Sequence, residues 1–69
     1  MKTLYYFAER NYPNGAHIRE LNAINARNMA HAKRIATSKQ CFQGTYLVLF
    51  DVTGDVIAIK DPNNKWKTI

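Results

Sequence analysis

The sequence predicts an α+β domain: a single five-stranded antiparallel sheet with one α-helix packed on one face, in the order β-β-α-β-β-β. Three observations predict it. Runs rich in aromatic and β-branched residues recur along the 69-residue chain, separated by turn signals at "NYPNG", "TGD" and "DPNN". One stretch between the second and third runs has helical periodicity instead. The connections are short, which favours antiparallel neighbours, and a lone helix must bury its apolar stripe against the sheet.

The first element, "KTLYYFAER" from Lys2 to Arg10, reads as a strand. One of its faces carries Thr3, Tyr5, Phe7 and Glu9, and the other Leu4, Tyr6 and Ala8. Both faces are partly apolar, as in a central strand. Residues 11–15 form a turn, where Pro13 sets φ and Asn14-Gly15 tolerates positive φ. A weaker strand follows from His17 to Ile24. Asn25 then reads as the N-cap of a helix over about 26–40. Steps of about 100° per residue put Met29, Ala32, Ile35 and Ala36 on one face, with Arg27, His31, Arg34 and Ser38 opposite. Lys33 and Gln40 flank the apolar stripe on one side and Lys39 on the other. The alanines let the helix lie close to a sheet, and Gly44 permits the turn out. "TYLVLFDV" at 45–52 is the strongest strand in the chain. It turns at 53–55 into a returning strand, "VIAIK" at 56–60. After "DPNN", "KWKTI" makes a short last strand in which Trp66 covers the core.

The length bounds the whole chain, 1–69, to one small domain. A domain of this size buries only about 60% of its unfolded-chain surface, so its stability is modest. With 46% apolar and 12% aromatic residues it has the composition of a folded globule. The single Cys41 can form no internal disulfide, which suits a reducing, cytoplasmic setting. "MKTLYYFAER" reaches Glu9 and Arg10 too soon for a signal-peptide core, and no apolar run approaches the roughly 18 residues of a membrane span. No membrane partner is expected. Ten Lys and Arg against five Asp and Glu give a net charge of +5, which favours an anionic partner.

Enzyme chemistry is poorly supplied. His17, His31 and Cys41 are the soft ligands, and none pair at a metal-binding spacing. A nucleophilic Cys41 would need a base such as His31 brought to it in space; beside Phe42 it reads as a small buried hydrophobe, and both residues are expected to belong to the docking of helix on sheet. Of the carboxylates Glu9, Glu20, Asp51, Asp55 and Asp61, three sit in or beside turns where solvation is the default. No phosphate loop or dinucleotide fingerprint occurs, so neither enzyme activity nor a cofactor is expected. The cations lead further. Arg27, Lys33, Arg34 and Lys39 give the helix a basic outer surface, and Lys60, Lys65 and Lys67 add charge near the C-terminal hairpin. Tyr5, Tyr6, Tyr12 and Tyr46 offer stacking surface or core. Two functions fit these residues: a nucleic-acid-binding module, or a small protein that docks on a larger partner.

"AKRIATSKQCFQGT", residues 32–45, resembles the matching segment of small phage-encoded anti-CRISPR proteins that inhibit the type I-F surveillance complex, in the ninth-numbered family of those inhibitors. The run AKRIA, then QCF and GT, recurs there without a gap. Further positions agree in register: Met1-Lys2, Tyr5, Glu9, Ile24, Ala26, Val52, Gly54, Lys60 and Trp66. The resemblance implies a five-stranded antiparallel sheet with one helix. It implies a non-catalytic inhibitor, monomeric when free, that binds backbone subunits of the type I-F complex in the host bacterial cytosol and blocks target DNA from pairing with the guide. It also implies sequence-independent duplex DNA binding by the inhibited complex. Lys33, Arg34 and Gln40 match the family's polar positions and carry over as partner contacts, with Lys60 as a further candidate; Arg27 and Lys39, from the basic outer surface of the helix, complete the six candidate partner-binding residues. Ser38 and Lys39 depart from a Lys-Glu pair in the family, and "DPNNK" stands where the family has a Gly-containing turn.

Overall fold

The computed structural model describes residues 3–11, 21–42 and 44–69. It contains β1 (Thr3–Arg10), β2 (Asn22–Ala26), α1 (Met29–Ser38), β3 (Tyr46–Phe50), β4 (Val56–Lys60) and β5 (Trp66–Thr68). The strands form one sheet in the order β2-β1-β3-β4-β5. Every neighbouring pair is antiparallel. β1 has a partner on each side, Tyr5 opposite Ile24 on β2 and Phe7 opposite Leu49 on β3, as two apolar faces require. Among the described residues no helix is long and apolar enough to cross a membrane.

The helix packs on one face of the sheet. Phe7, Ile24, Ala26, Leu47, Leu49 and Ala58 meet Ala32 and Ala36 there, with Tyr5, Met29, Ile35, Ile57 and Trp66 around them. The two alanines are fully buried, and their small side chains bring the helix backbone close to the sheet. The opposite face has its own smaller cluster of Ala8, Val48 and Phe50, bordered by Tyr6, Val56 and Ile59.

Three boundaries differ from those expected. The second strand is Asn22–Ala26, while residues 17–20 and all but Asn11 of the turn expected at 11–15 lie outside the described residues. Asn25 is therefore not the helix cap. It is a strand residue opposite Leu4, because Ile24 and Ala26 share one pleat phase and both reach the core. The cap is Asn28, whose Oδ1 accepts the His31 N–H at 2.9 Å. At the other end α1 stops at Ser38 rather than running to residue 40, with Lys39 as C-cap. The Thr37 and Ser38 hydroxyls donate to the carbonyls of Lys33 and Ile35, both at 2.8 Å, which competes with further helical bonding. Gly44 has φ +73° on the way out, as the turn there demands.

The third boundary is in the β3–β4 hairpin, where β3 ends at Phe50 and Val52 lies exposed in the turn. The two C-terminal turns share one device. Asp51 accepts the N–H groups of Thr53 and Asp55 at 2.9 and 3.1 Å, and the Asp51 N–H donates back to the Asp55 carbonyl at 3.0 Å. Asp61 accepts those of Asn63 and Lys65 at 2.9 and 3.0 Å, and its N–H donates to the Lys65 carbonyl at 2.9 Å. Each turn needs one left-handed residue before its last position. Gly54 supplies it at φ +91° in the first and Asn64 at φ +66° in the second. Asparagine is among the few side chains that visit this region readily, so the turn forms without glycine.

Candidate partner-binding surface

Arg34 stands exposed on the outer side of α1. Lys33 leans the other way and is half-buried: its Nζ donates to Thr68 Oγ1 at 2.9 Å and lies 5.9 Å from the Trp66 ring centroid. Trp66 is tied to the helix in turn, its Nε1 donating to Thr37 Oγ1 at 3.2 Å. Between them Ala30, Lys33, Arg34, Thr37 and Trp66 line an open groove of about 550 Å³. Its floor is apolar and two cations edge it. Arg27 and Lys39 are both exposed just beyond the two ends of α1, a helix roughly 15 Å long.

A second constellation lies where α1 hands over to β3. Glu9 is fully buried on the helix-facing side of β1. Its Oε1 accepts the Cys41 N–H at 2.7 Å, and its Oε2 accepts the Phe42 N–H at 3.1 Å and the Thr45 hydroxyl at 3.2 Å. Gln40 closes the loop from the other side. Its Nε2 donates to the Phe42 carbonyl at 2.9 Å and to Thr45 Oγ1 at 3.1 Å. Its Oε1 accepts from Lys60 Nζ at 2.6 Å. Lys60 is 1% exposed, and burial pushes its ammonium below the ordinary lysine range, offset in part by the negative charges of Glu9 and Asp61. A buried carboxylate and a buried ammonium are thus connected through an amide and a hydroxyl, which is how charge is kept inside so small a domain.

This arrangement corrects several expectations. Cys41 is exposed, and Phe42 is 48% exposed, so neither is part of the helix-to-sheet packing. The reason is geometric: their backbone N–H groups face inward to Glu9. Cys41 and His31 do not meet as a nucleophile and base would. His31 accepts the Arg27 N–H on Nδ1 in the first turn of α1, with about 10 Å of helix between it and Ser38, and Cys41 lies beyond that end. Of the six residues proposed as contacts, Arg27, Arg34 and Lys39 are exposed and Lys33 and Gln40 half-exposed, whereas Lys60 is inside. Sequence reasoning missed Glu9 as a structural hub, although its phase with Tyr5 and Phe7 on β1 was the available signal. Tyr5 and Tyr6 border the two cores on opposite sides of the sheet, and Tyr12 lies outside the described residues.

No protein-family model matches the chain, and no curated protein sequence matches it. Among solved structures it is similar to AcrIF9, with a TM-score of 0.89 and 35% identity over 100% of this chain and 88% of the other. The agreement takes in the whole α+β sheet and the 32–45 segment within it. With a third of its residues identical across its full length and the same fold, the chain belongs to the AcrIF9 family of type I-F anti-CRISPR proteins.

Proposed function

We propose that the protein silences a type I-F crRNA-guided surveillance complex by docking on its backbone subunits and sterically excluding target DNA from the guide. The observation that carries this reading, beside family membership, is the cationic edge of α1: Arg34 exposed, Lys33 fixed against Trp66, and Arg27 and Lys39 at the two ends. Where the protein subunits of such a complex present a carboxylate or paired backbone carbonyls beside the groove, a cationic edge has a partner to dock on. Arg34 has the planar fork to engage a carboxylate or a pair of carbonyls there with two parallel hydrogen bonds. Inhibition by occupancy needs no reaction, and the inhibitor is non-catalytic. The net charge of +5 also supports capture of duplex DNA by the inhibited complex through phosphate contacts that carry no sequence preference.

The test is inhibition of target-DNA capture by purified type I-F complex, comparing the parent protein with Arg34→Ala and Lys39→Glu. Weakened inhibition with unchanged melting supports the α1 edge as the docking surface. Undiminished inhibition by both variants places the docking surface elsewhere. Tight, salt-sensitive DNA binding by the isolated protein would favour a free-standing nucleic-acid binder instead.

A further inference from the structure

Glu9 is a buried carboxylate that no catalytic role requires, and the hydrogen bonds it accepts from residues 41–45 all serve one loop. Phe42 is gripped at both backbone groups. Its N–H donates to Glu9 at 3.1 Å, and its carbonyl accepts from Gln40 Nε2 at 2.9 Å and from the Thr45 hydroxyl at 3.3 Å. Its ring is nevertheless 48% exposed. An apolar side chain on a slack loop would fold inward onto the nearby core. Here the inward direction is taken by the backbone amides, and the ring is held out.

The place where it is held out is continuous with the cationic edge of α1. Thr37 lines both the groove beside Lys33 and Arg34 and the neighbouring concavity of about 640 Å³ walled by Gln40, Cys41, Phe42 and Lys60. Lys39, the C-cap of α1, is the next residue but one along the chain. An exposed aromatic whose backbone is held at both polar groups, on a surface continuous with a cationic groove, has the composition of a protein-interface anchor, with less backbone freedom left to immobilise.

We propose that Glu9 is a positioning residue of the inhibitory surface: its buried carboxylate holds the Cys41 and Phe42 amides and the Thr45 hydroxyl so that Phe42 projects into an apolar recess, flanked by acidic groups, on a protein subunit of the type I-F complex. This rests on the reading of the protein as an inhibitor of that complex. Gln40 and Lys60 belong to the same device, acting on the partner through the loop they brace rather than by touching it.

The experiment is a binding titration of the full-length protein against purified type I-F complex, with amide hydrogen exchange run in parallel. Phe42→Ala is expected to weaken binding by about tenfold or more at unchanged melting temperature, as an interface anchor does. Glu9→Gln is expected to weaken binding by a similar factor. It should speed exchange at the Cys41 and Phe42 amides while the β1 and β3 amides stay protected. Because both changes act through one side chain, the double variant should bind no more weakly than the weaker single one. Full affinity in Phe42→Ala, or losses that simply multiply in the double variant, overturns the proposal. If Glu9→Gln does not fold, Thr45→Ala, which removes one donor to Glu9, takes its place in both measurements. The parent protein is the control: its failure to bind overturns the inhibitor reading and this inference with it, whereas parent binding unaffected by Phe42→Ala overturns this inference alone.

Discussion

Replacing Gln40 by alanine separates two accounts of that residue. The family resemblance makes it a partner contact; the structure makes it a brace. The truncation removes the amide oxygen 2.6 Å from Lys60 Nζ and the amide nitrogen that serves the Phe42 carbonyl and Thr45 Oγ1. A hydrogen bond to a charged group contributes about 1.5–3 kcal/mol, and a neutral one about 0.5–1.5 kcal/mol. Two effects reduce the sum. The Phe42 carbonyl keeps the Thr45 hydroxyl as a donor, and the open concavity beside Lys60 lets water replace part of what the amide supplied. A loss of about 2 kcal/mol remains, and at about 4–8 °C per kcal/mol for a domain of this size the melting temperature falls by about 8–16 °C. Urea unfolding followed by the fluorescence of Trp66, the one tryptophan in the chain, measures it directly. An unfolding free energy within about 0.5 kcal/mol of the parent, as at an ordinary surface site, would refute the bracing role and return Gln40 to the partner interface.

Other outcomes follow from the same structure. Arg34→Ala, on the exposed side of α1, should leave unfolding free energy within about 0.5 kcal/mol, whereas Lys33→Ala should cost more because it removes the Thr68 contact and leaves the Trp66–Thr37 bond as the remaining polar tie of β5 to the helix among the bonds described; paired denaturation curves check both. Asn64→Ala forces an ordinary side chain into the left-handed region and should destabilise by about 1–2 kcal/mol, while Asn64→Gly should be tolerated. The Thr53 hydroxyl, bonded to Asp51 at 2.6 Å, holds that carboxyl below its ordinary value of 3.8; desolvation opposes it, and the backbone N–H groups of Asp55, Thr53 and Gly54 add to it. A depressed carboxyl favours the folded state above its unfolded pKa. That contribution is present above about pH 3.8 and is lost as pH falls through the lower folded value. A carbon-detected NMR titration should place Asp51 below 3.8, and Thr53→Ala should move it upward.

Much of this architecture was legible because each strand announces itself by composition and each turn by its Asp, Asn or Gly. The errors have physical causes. Asn25 and Asn28 are equally good caps in isolation, and the choice between them was made by sheet pairing, which draws Ala26 into the core beside Ile24. Cys41 and Phe42 looked like packing residues because apolar side chains usually point inward. The sequence carries no sign of which way a backbone amide faces, and here the amides face Glu9. Lys60 alternates with Ala58 onto the helix side of β4, so its burial is readable from phase, although its charge argues the opposite. The outer helix cations were legible because a 3.6-residue period and an alanine stripe leave them only one side to occupy.

The central claim is occupancy: the protein sits where target DNA must enter. The most direct measurement is target-DNA hybridisation by purified type I-F complex, read from protection of the displaced and paired strands, with the protein added before or after the DNA. Added first, the protein should abolish strand pairing with the guide, and Arg34→Ala should need a higher concentration to do so. Normal strand pairing in the presence of saturating, complex-bound protein would contradict the account.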